Sequence, residues 1–151
     1  MTTIVTYGTF DLYHVGHVRL LKRLKQMGDR LVVGLSTDEF NALKGKQVVI
    51  PYKDRHEILM SCRYVDHVFE EKCWEQKRED LIREKADIFA IGDDWAGKFD
   101  DLEDLVKVIY LPRTKDISTT ELKTVLSYLN KEKVAELRNV VENLSTLVKQ
   151  L

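Results

Sequence analysis

Ile4-Val5-Thr6-Tyr7-Gly8-Thr9-Phe10-Asp11-Leu12-Tyr13-His14-Val15-Gly16-His17 runs from an apolar stretch through a glycine-containing turn into helical spacing, and this order of elements decides the fold. A strand that feeds a turn and then a helix start aims backbone N–H groups and the positive end of the helix dipole at one spot. That spot suits an anion such as the phosphates of a nucleotide. His14 and His17, at i and i+3 of the helix start, add imidazole donors directed at the same place. The H-x-x-H spacing also suits a pair of metal ligands. Cys62 and Cys73, however, lie far off and share no ligand spacing with it. Histidines without a role are the remaining alternative, and the flanking Gly8 and Gly16 weigh against it.

Outward from this stretch, Val15, Val18, Leu21, Leu24 and Met27 recur at helical spacing and stop at Gly28, a helix with its C-terminal signal. Leu31–Leu35, His67–Phe69, Ile88–Ile91 and Val106–Leu111 are short runs rich in Val and Ile without alternation, as buried parallel strands are. Residues 54–63 and 74–85 read as two more helices between them. The expected architecture is α/β: a Rossmann-like, doubly wound parallel sheet with right-handed crossovers and ligands at the carboxyl ends of the strands. The chemistry-bearing stretches fall after those ends.

At 151 residues with 44% hydrophobic content, the chain can fill one core. No apolar stretch approaches the roughly 20 residues that span a bilayer, and Met1-Thr2-Thr3 opens straight into the first strand without a signal-peptide pattern. A cytoplasmic protein with no membrane span is expected. Two cysteines outside any C-x-x-C give no disulfide framework. A formal net charge of −1 argues against nucleic-acid binding, so phosphate affinity must be local.

Further candidates follow along the chain. Lys44 and Lys46 flank Gly45 in a mobile-looking stretch where an ammonium can follow a phosphate, although each alone reads as a solvated lysine. Arg113 follows Pro112 after the last strand, where a guanidinium can bridge two phosphates. Ser118 and Glu121 form a capping box that starts a helix at Thr119, so Thr114, Ser118, Thr119 and Thr120 place hydroxyls around a second anion pocket. Asp93 and Asp94 suit a hard cation such as Mg²⁺. Arg63 and Asp66 fit an i,i+3 ion pair.

These motifs together carry a resemblance. TYGTFDLYHVGH, Arg63-Tyr64-Val65-Asp66, Gly92-Asp93-Asp94-Trp95 and Pro112-Arg113-Thr114-Lys115-Asp116-Ile117-Ser118-Thr119-Thr120 resemble, in order, those of the HxGH nucleotidyltransferases and especially the cytidylyltransferases. Ser36–Asn41, the Lys44/Lys46 pair, Trp74-Glu75-Gln76-Lys77 and residues 92–100 look most like the glycerol-3-phosphate cytidylyltransferases. Asp116 departs from the pattern, which has glycine there.

The resemblance implies transfer of CMP from CTP to sn-glycerol 3-phosphate, giving CDP-glycerol, a precursor of teichoic-acid or capsule polymers in a bacterium, and pyrophosphate. It implies His14, His17, Lys46 and Arg113 as catalytic residues. Thr9, Phe10, Arg63, Gly92, Asp94, Thr114, Ser118, Thr119 and Thr120 join them around CTP, the backbone of residues 92–94 reading cytosine. Lys44 and Lys77 are implied on the acceptor phosphate. Mg²⁺ is expected mainly on triphosphate oxygens, with Asp94 as an alternative contact. In-line attack at the α-phosphorus needs positioning and charge stabilisation rather than a covalent nucleophile. Alternatives are phosphocholine or phosphoethanolamine as acceptor, an adenylyltransferase using ATP, or a silent nucleotide-binding subunit.

The likeness covers about residues 3–129, which are expected to form the catalytic domain; residues 130–151 are expected to be a C-terminal helical extension. After the polar Asn130-Lys131-Glu132-Lys133, Val134, Leu137, Val141, Leu144, Val148 and Leu151 fall on alternating a and d positions, and Val140 and Leu147 widen the stripe. A homodimer or higher oligomer joined through a helix bundle is expected, with packing on its own domain as the alternative.

Overall fold

The computed structural model describes residues 1–113 and 118–151, which fall into two compact units, Met1–Asp116 and Ile117–Leu151. In the first, β1 (Thr3–Gly8), α1 (Val15–Lys25), β2 (Arg30–Ser36), α2 (Asp38–Leu43), α3 (Tyr52–Met60), β3 (His67–Glu71), α4 (Lys77–Arg83), β4 (Ile88–Gly92) and β5 (Lys107–Leu111) follow in chain order. All strand pairings are parallel, in the order β3-β2-β1-β4-β5. The chain therefore winds outward from β1 to β3 and returns to start again at β4. The reversal lies between β1 and β4, where doubly wound sheets hold ligands beyond their strand carboxyl ends.

Alternate residues of each central strand are buried on opposite faces, so the strands read as continuous apolar runs. Ile4, Leu31 and Val33 pack with Leu21 and Leu24 of α1 on one side; Val5, Val32 and Phe89 pack with Leu81 of α4 on the other. Each such side chain contributes roughly 1.5–3 kcal/mol by leaving water.

Every expected strand is present, but helix boundaries differ. Gly28 is not a left-handed cap, since α1 ends at Gln26 in right-handed geometry. Glycine is needed there because a Cβ would sit 2.3 Å from Ile4 Cδ1 and 2.8 Å from the Thr2 carbonyl oxygen. The helix expected over residues 54–63 is α3, Tyr52–Met60, and Trp74–Gln76 precede α4 rather than open it. Gln76 Oε1 accepts from Lys72 N (2.6 Å) and Cys73 N (3.1 Å), which folds residues 72–76 into a turn.

The stretch around Lys44 is a built helix end. Thr37 Oγ1 caps α2 by accepting from Phe40 N at 3.1 Å, and Gly45, at φ +73°, closes it. Gly45 N donates to Ala42 O and Lys46 N to Asn41 O, the paired bonds of a Schellman motif.

The second unit is described by itself. α5 (Thr119–Lys149) is one helix that runs through Asn130–Lys133 without a break. It starts where the capping box places it: Ser118 Oγ accepts from Glu121 N at 3.1 Å. Among the described residues, no helix is long and apolar enough to cross a membrane.

Candidate active site

The turn after β1 is held by a buried carboxylate. Asp11 accepts from Leu12 N (3.1 Å), Val49 N (2.8 Å) and Ile50 N (2.9 Å), tying the turn to a loop far along the chain. Phe10 (φ 50°) and Leu12 (φ 49°) sit in the left-handed region, a conformation that costs about 1–3 kcal/mol per non-glycine residue and persists only where the surroundings over-determine it. Here Asp11 and the burial of Phe10 do so.

His14 is the N-cap of α1, its Nδ1 accepting from Gly16 N at 3.0 Å; His17 Nδ1 accepts from His14 N at 3.2 Å. An imidazole nitrogen that accepts carries no proton, so neutral His14 and His17 are both protonated at Nε2. The rings stack with centroids 3.9 Å apart. Burial lowers both pKa values, that of His17 to about 4 with the His14 charge adding to the effect. Desolvation is the first cause of each depression. At neutral pH the pair consists of two neutral N–H donors.

Arg55, which the sequence does not single out, is 1% exposed. Its guanidinium donates to Thr9 O (2.9 Å), Ser36 O (2.8 Å), Ile50 O (2.8 Å) and Asp38 Oδ1 (2.7 Å). One buried cation thus ties the exits of β1 and β2 to the 49–50 loop and the start of α2. Thr9 also donates from Oγ1 to Asn41 Oδ1 at 3.1 Å.

Beyond the ends of β2, β3 and β4 lies a cavity of about 470 Å³, lined by Phe40, Lys44, Lys46, Trp74 and Trp95 among others. Lys44 Nζ donates to Ser36 Oγ at 2.8 Å and lies 4.4 Å above the Phe40 ring. Burial holds its pKa down to about 8, opposed by Glu71. Lys46, by contrast, is exposed.

Lys77 is the first residue of α4. It is 3% exposed, pairs with Glu71 Oε2 at 2.7 Å and lies within about 5 Å of the Tyr7, Trp74 and Phe99 rings.

At the end of β4, a Cβ on Gly92 would meet nothing, which leaves its backbone accessible. Asp94 Oδ2 accepts from Arg113 Nε (3.1 Å) and Nη2 (2.6 Å), joining the exits of β4 and β5. Arg63 is not brought to this edge: it precedes β3, whereas the other candidates of this unit follow strand ends. Nor does it pair with Asp66, which binds Lys25 and accepts from Leu31 N at 2.8 Å. Ser118, Thr119 and Thr120 open α5. Thr114 and Asp116 lie outside the described residues.

No group of three metal-ligating side chains occurs among the described residues, and Asp94 is engaged by Arg113.

The profile of the Cytidylyltransferase-like family matches residues 5–125. Glycerol-3-phosphate cytidylyltransferase of Bacillus subtilis (strain 168) is 54% identical over 129 residues, 85% of this chain and 100% of that protein. The protein of the same name from Staphylococcus aureus (strain NCTC 8325 / PS 47) is 51% identical over 83% of this chain and 96% of its own. In fold, the chain is similar to a lipopolysaccharide core biosynthesis protein from Thermoplasma volcanium GSS1, with TM-score 0.65 and 24% identity over 76% of this chain and 99% of that one. A parallel sheet with its polar burial at the carboxyl edge, an imidazole pair capping the first helix and near-full-length likeness to named enzymes agree: the chain belongs to the cytidylyltransferase-like family, among the glycerol-3-phosphate cytidylyltransferases.

Proposed function

We propose that this chain is a cytoplasmic enzyme that transfers CMP from CTP to sn-glycerol 3-phosphate, forming CDP-glycerol and pyrophosphate. The product is the activated glycerol-phosphate unit of teichoic-acid or capsule polymers. The observation that carries the mechanism is the capping box of His14 and His17, which leaves two neutral imidazoles protonated at Nε2 beyond the end of β1. A phosphate oxygen of the acceptor attacks the α-phosphorus, the new P–O bond forms in line, and the bond to the β-phosphate oxygen breaks. The attacking group is a phosphate largely ionised near neutral pH, so no base is needed to activate it. The histidines then act as donors to the charge that spreads over the α-phosphate oxygens.

Lys46 and Arg113 bind the triphosphate. Thr9, Phe10 and the backbone of residues 92–94 hold the nucleoside. Arg113 exchanges Asp94 for phosphate oxygens when CTP binds. Lys44 and Lys77 receive the acceptor phosphate. A divalent metal, Mg²⁺ in this reading, would neutralise phosphate charge, with Asp94 as the side chain that could contact it. Residues 1–129 form the catalytic part, and subunits associate through the apolar stripe of α5.

Glycerol phosphate is favoured over phosphocholine because Lys44 and Lys77 lie over the rings that a quaternary ammonium would seek. Pyrophosphate release is measured with CTP or ATP against sn-glycerol 3-phosphate, phosphocholine and phosphoethanolamine. CTP with sn-glycerol 3-phosphate gives the highest kcat/KM; an equal or higher value for another pair overturns the assignment.

A further inference from the structure

Glu71 ends β3 directly opposite Ser36, which ends β2, at the edge where the candidate site lies. Its side chain is 4% exposed, as is that of Lys77, and the two form an ion pair of 2.7 Å. The second carboxylate oxygen accepts from Ser36 Oγ at 3.5 Å, and Ser36 Oγ in turn accepts from Lys44 Nζ at 2.8 Å. One carboxylate is thus connected to both acceptor-side lysines, directly to one and through a hydroxyl to the other. The rings of Tyr7, Trp74 and Phe99 enclose Lys77. An ammonium in such a place requires a counter-charge, and Glu71 is the carboxylate paired with it.

We propose that Glu71 is the positioning residue of the acceptor subsite. It holds Lys77 directly and Lys44 through Ser36, so that the two ammonium groups are preset for one phosphomonoester. This rests on the reading of Lys44 and Lys77 as acceptor ligands. Glu71 stays paired with Lys77 while the incoming phosphate, entering through the cavity that Lys44 lines, engages both ammonium groups. The charges that bear on Lys44 agree: Glu71 keeps its ammonium, while Lys46, Lys77 and Arg55 oppose it.

The test uses E71Q, E71D, K77M and the double variant E71Q/K77M in the full chain. KM is measured for each substrate across pH 6.5–9, and sn-glycerol 3-phosphate is titrated calorimetrically without CTP. E71Q raises the acceptor KM about tenfold and leaves the CTP KM within about twofold, a split expected when only one substrate's contacts are lost. The alkaline fall in acceptor affinity moves to lower pH, and E71D recovers part of the loss. E71Q costs less in the K77M background than in the wild type, because only the branch through Ser36 to Lys44 is then left for the carboxylate to hold.

A lower acceptor KM in E71Q overturns the proposal, because Glu71 then competes with the phosphate. Equal changes in both KM values, or additive losses in the double variant, overturn it too. If the wild type binds sn-glycerol 3-phosphate and E71Q binds it equally well, the role of Glu71 alone is refuted. If the wild type does not turn over sn-glycerol 3-phosphate with CTP, the acceptor assignment itself fails and this proposal with it.

Discussion

The two compact units invert the usual partition of residues in opposite ways. Met1–Asp116 buries polar groups: Asp11, Ser36, Asn41, Arg55, Glu71 and Lys77 are each 3% exposed or less. Ile117–Leu151 does the reverse, since α5 buries nothing and Val134, Leu137, Val141, Leu144 and Val148 are 50–66% exposed. Buried polar groups and exposed apolar stripes are the observations that carry information, because neither arises from burial of apolar surface alone. In the first unit the inversion fixes a reaction edge, and every one of those polar groups has a partner. In the second it leaves a surface whose repeat is legible and whose partner the proposed association supplies.

The largest effect is expected where the first inversion is densest. Arg55→Ala removes four hydrogen bonds, taking the guanidinium from Thr9 O and Ile50 O and leaving Ser36 O with Asn41 Nδ2 and Asp38 with Tyr52 N. The loss is about 3–5 kcal/mol, the range for breaking a buried charged network, and is read from denaturant unfolding. A loss below about 1 kcal/mol would show that the buried guanidinium is not what ties the strand exits together.

Next comes His17. Its pKa is about 4 in the folded chain and 6.5 otherwise, so between those values the unfolded state binds more protons than the native one. Stability is therefore full above about pH 6.5 and falls as pH drops through about 4, by roughly 3 kcal/mol in all. His17→Ala flattens that slope in unfolding experiments and lowers kcat about 10²-fold, the scale for losing one preorganised donor. An unchanged slope would place the titration elsewhere, and an unchanged kcat would remove His17 from the mechanism.

The smallest effect on chemistry is expected from the second unit. Deleting residues 131–151 lowers the mass measured by light scattering while kcat/KM stays within about twofold, since no candidate site residue lies beyond Thr120. An unchanged mass would break the comparison by showing that the stripe does not join subunits.

Much of the fold was legible because parallel strands and the first helix are written locally, in Val and Ile runs and in spacing. The cap at Ser118 was legible for the same reason, since both partners of its box lie within one turn. The six-residue α2 was not, because so short a helix has no periodicity to read. Arg55 sits in Tyr52-Lys53-Asp54-Arg55-His56-Glu57, which looks like a solvated face, and Glu71 in Glu70-Glu71-Lys72, which looks like a surface charge run. Both act through partners distant in sequence, and no local pattern records such closures. The histidines were found from sequence; the fixed protonation at Nε2 required the bonds of the cap.

Gly8 and Phe10 carry a consequence for anyone diversifying this enzyme. A Cβ at position 8 would lie 2.7 Å from Phe10 Cε2, so the glycine is demanded by the ring over it rather than by its own backbone angles. The two positions form one steric unit. A library that varies residue 8 alone samples almost only clashes, whereas one that pairs a larger residue 8 with a smaller residue 10 explores new shapes for the wall of the phosphate-facing turn.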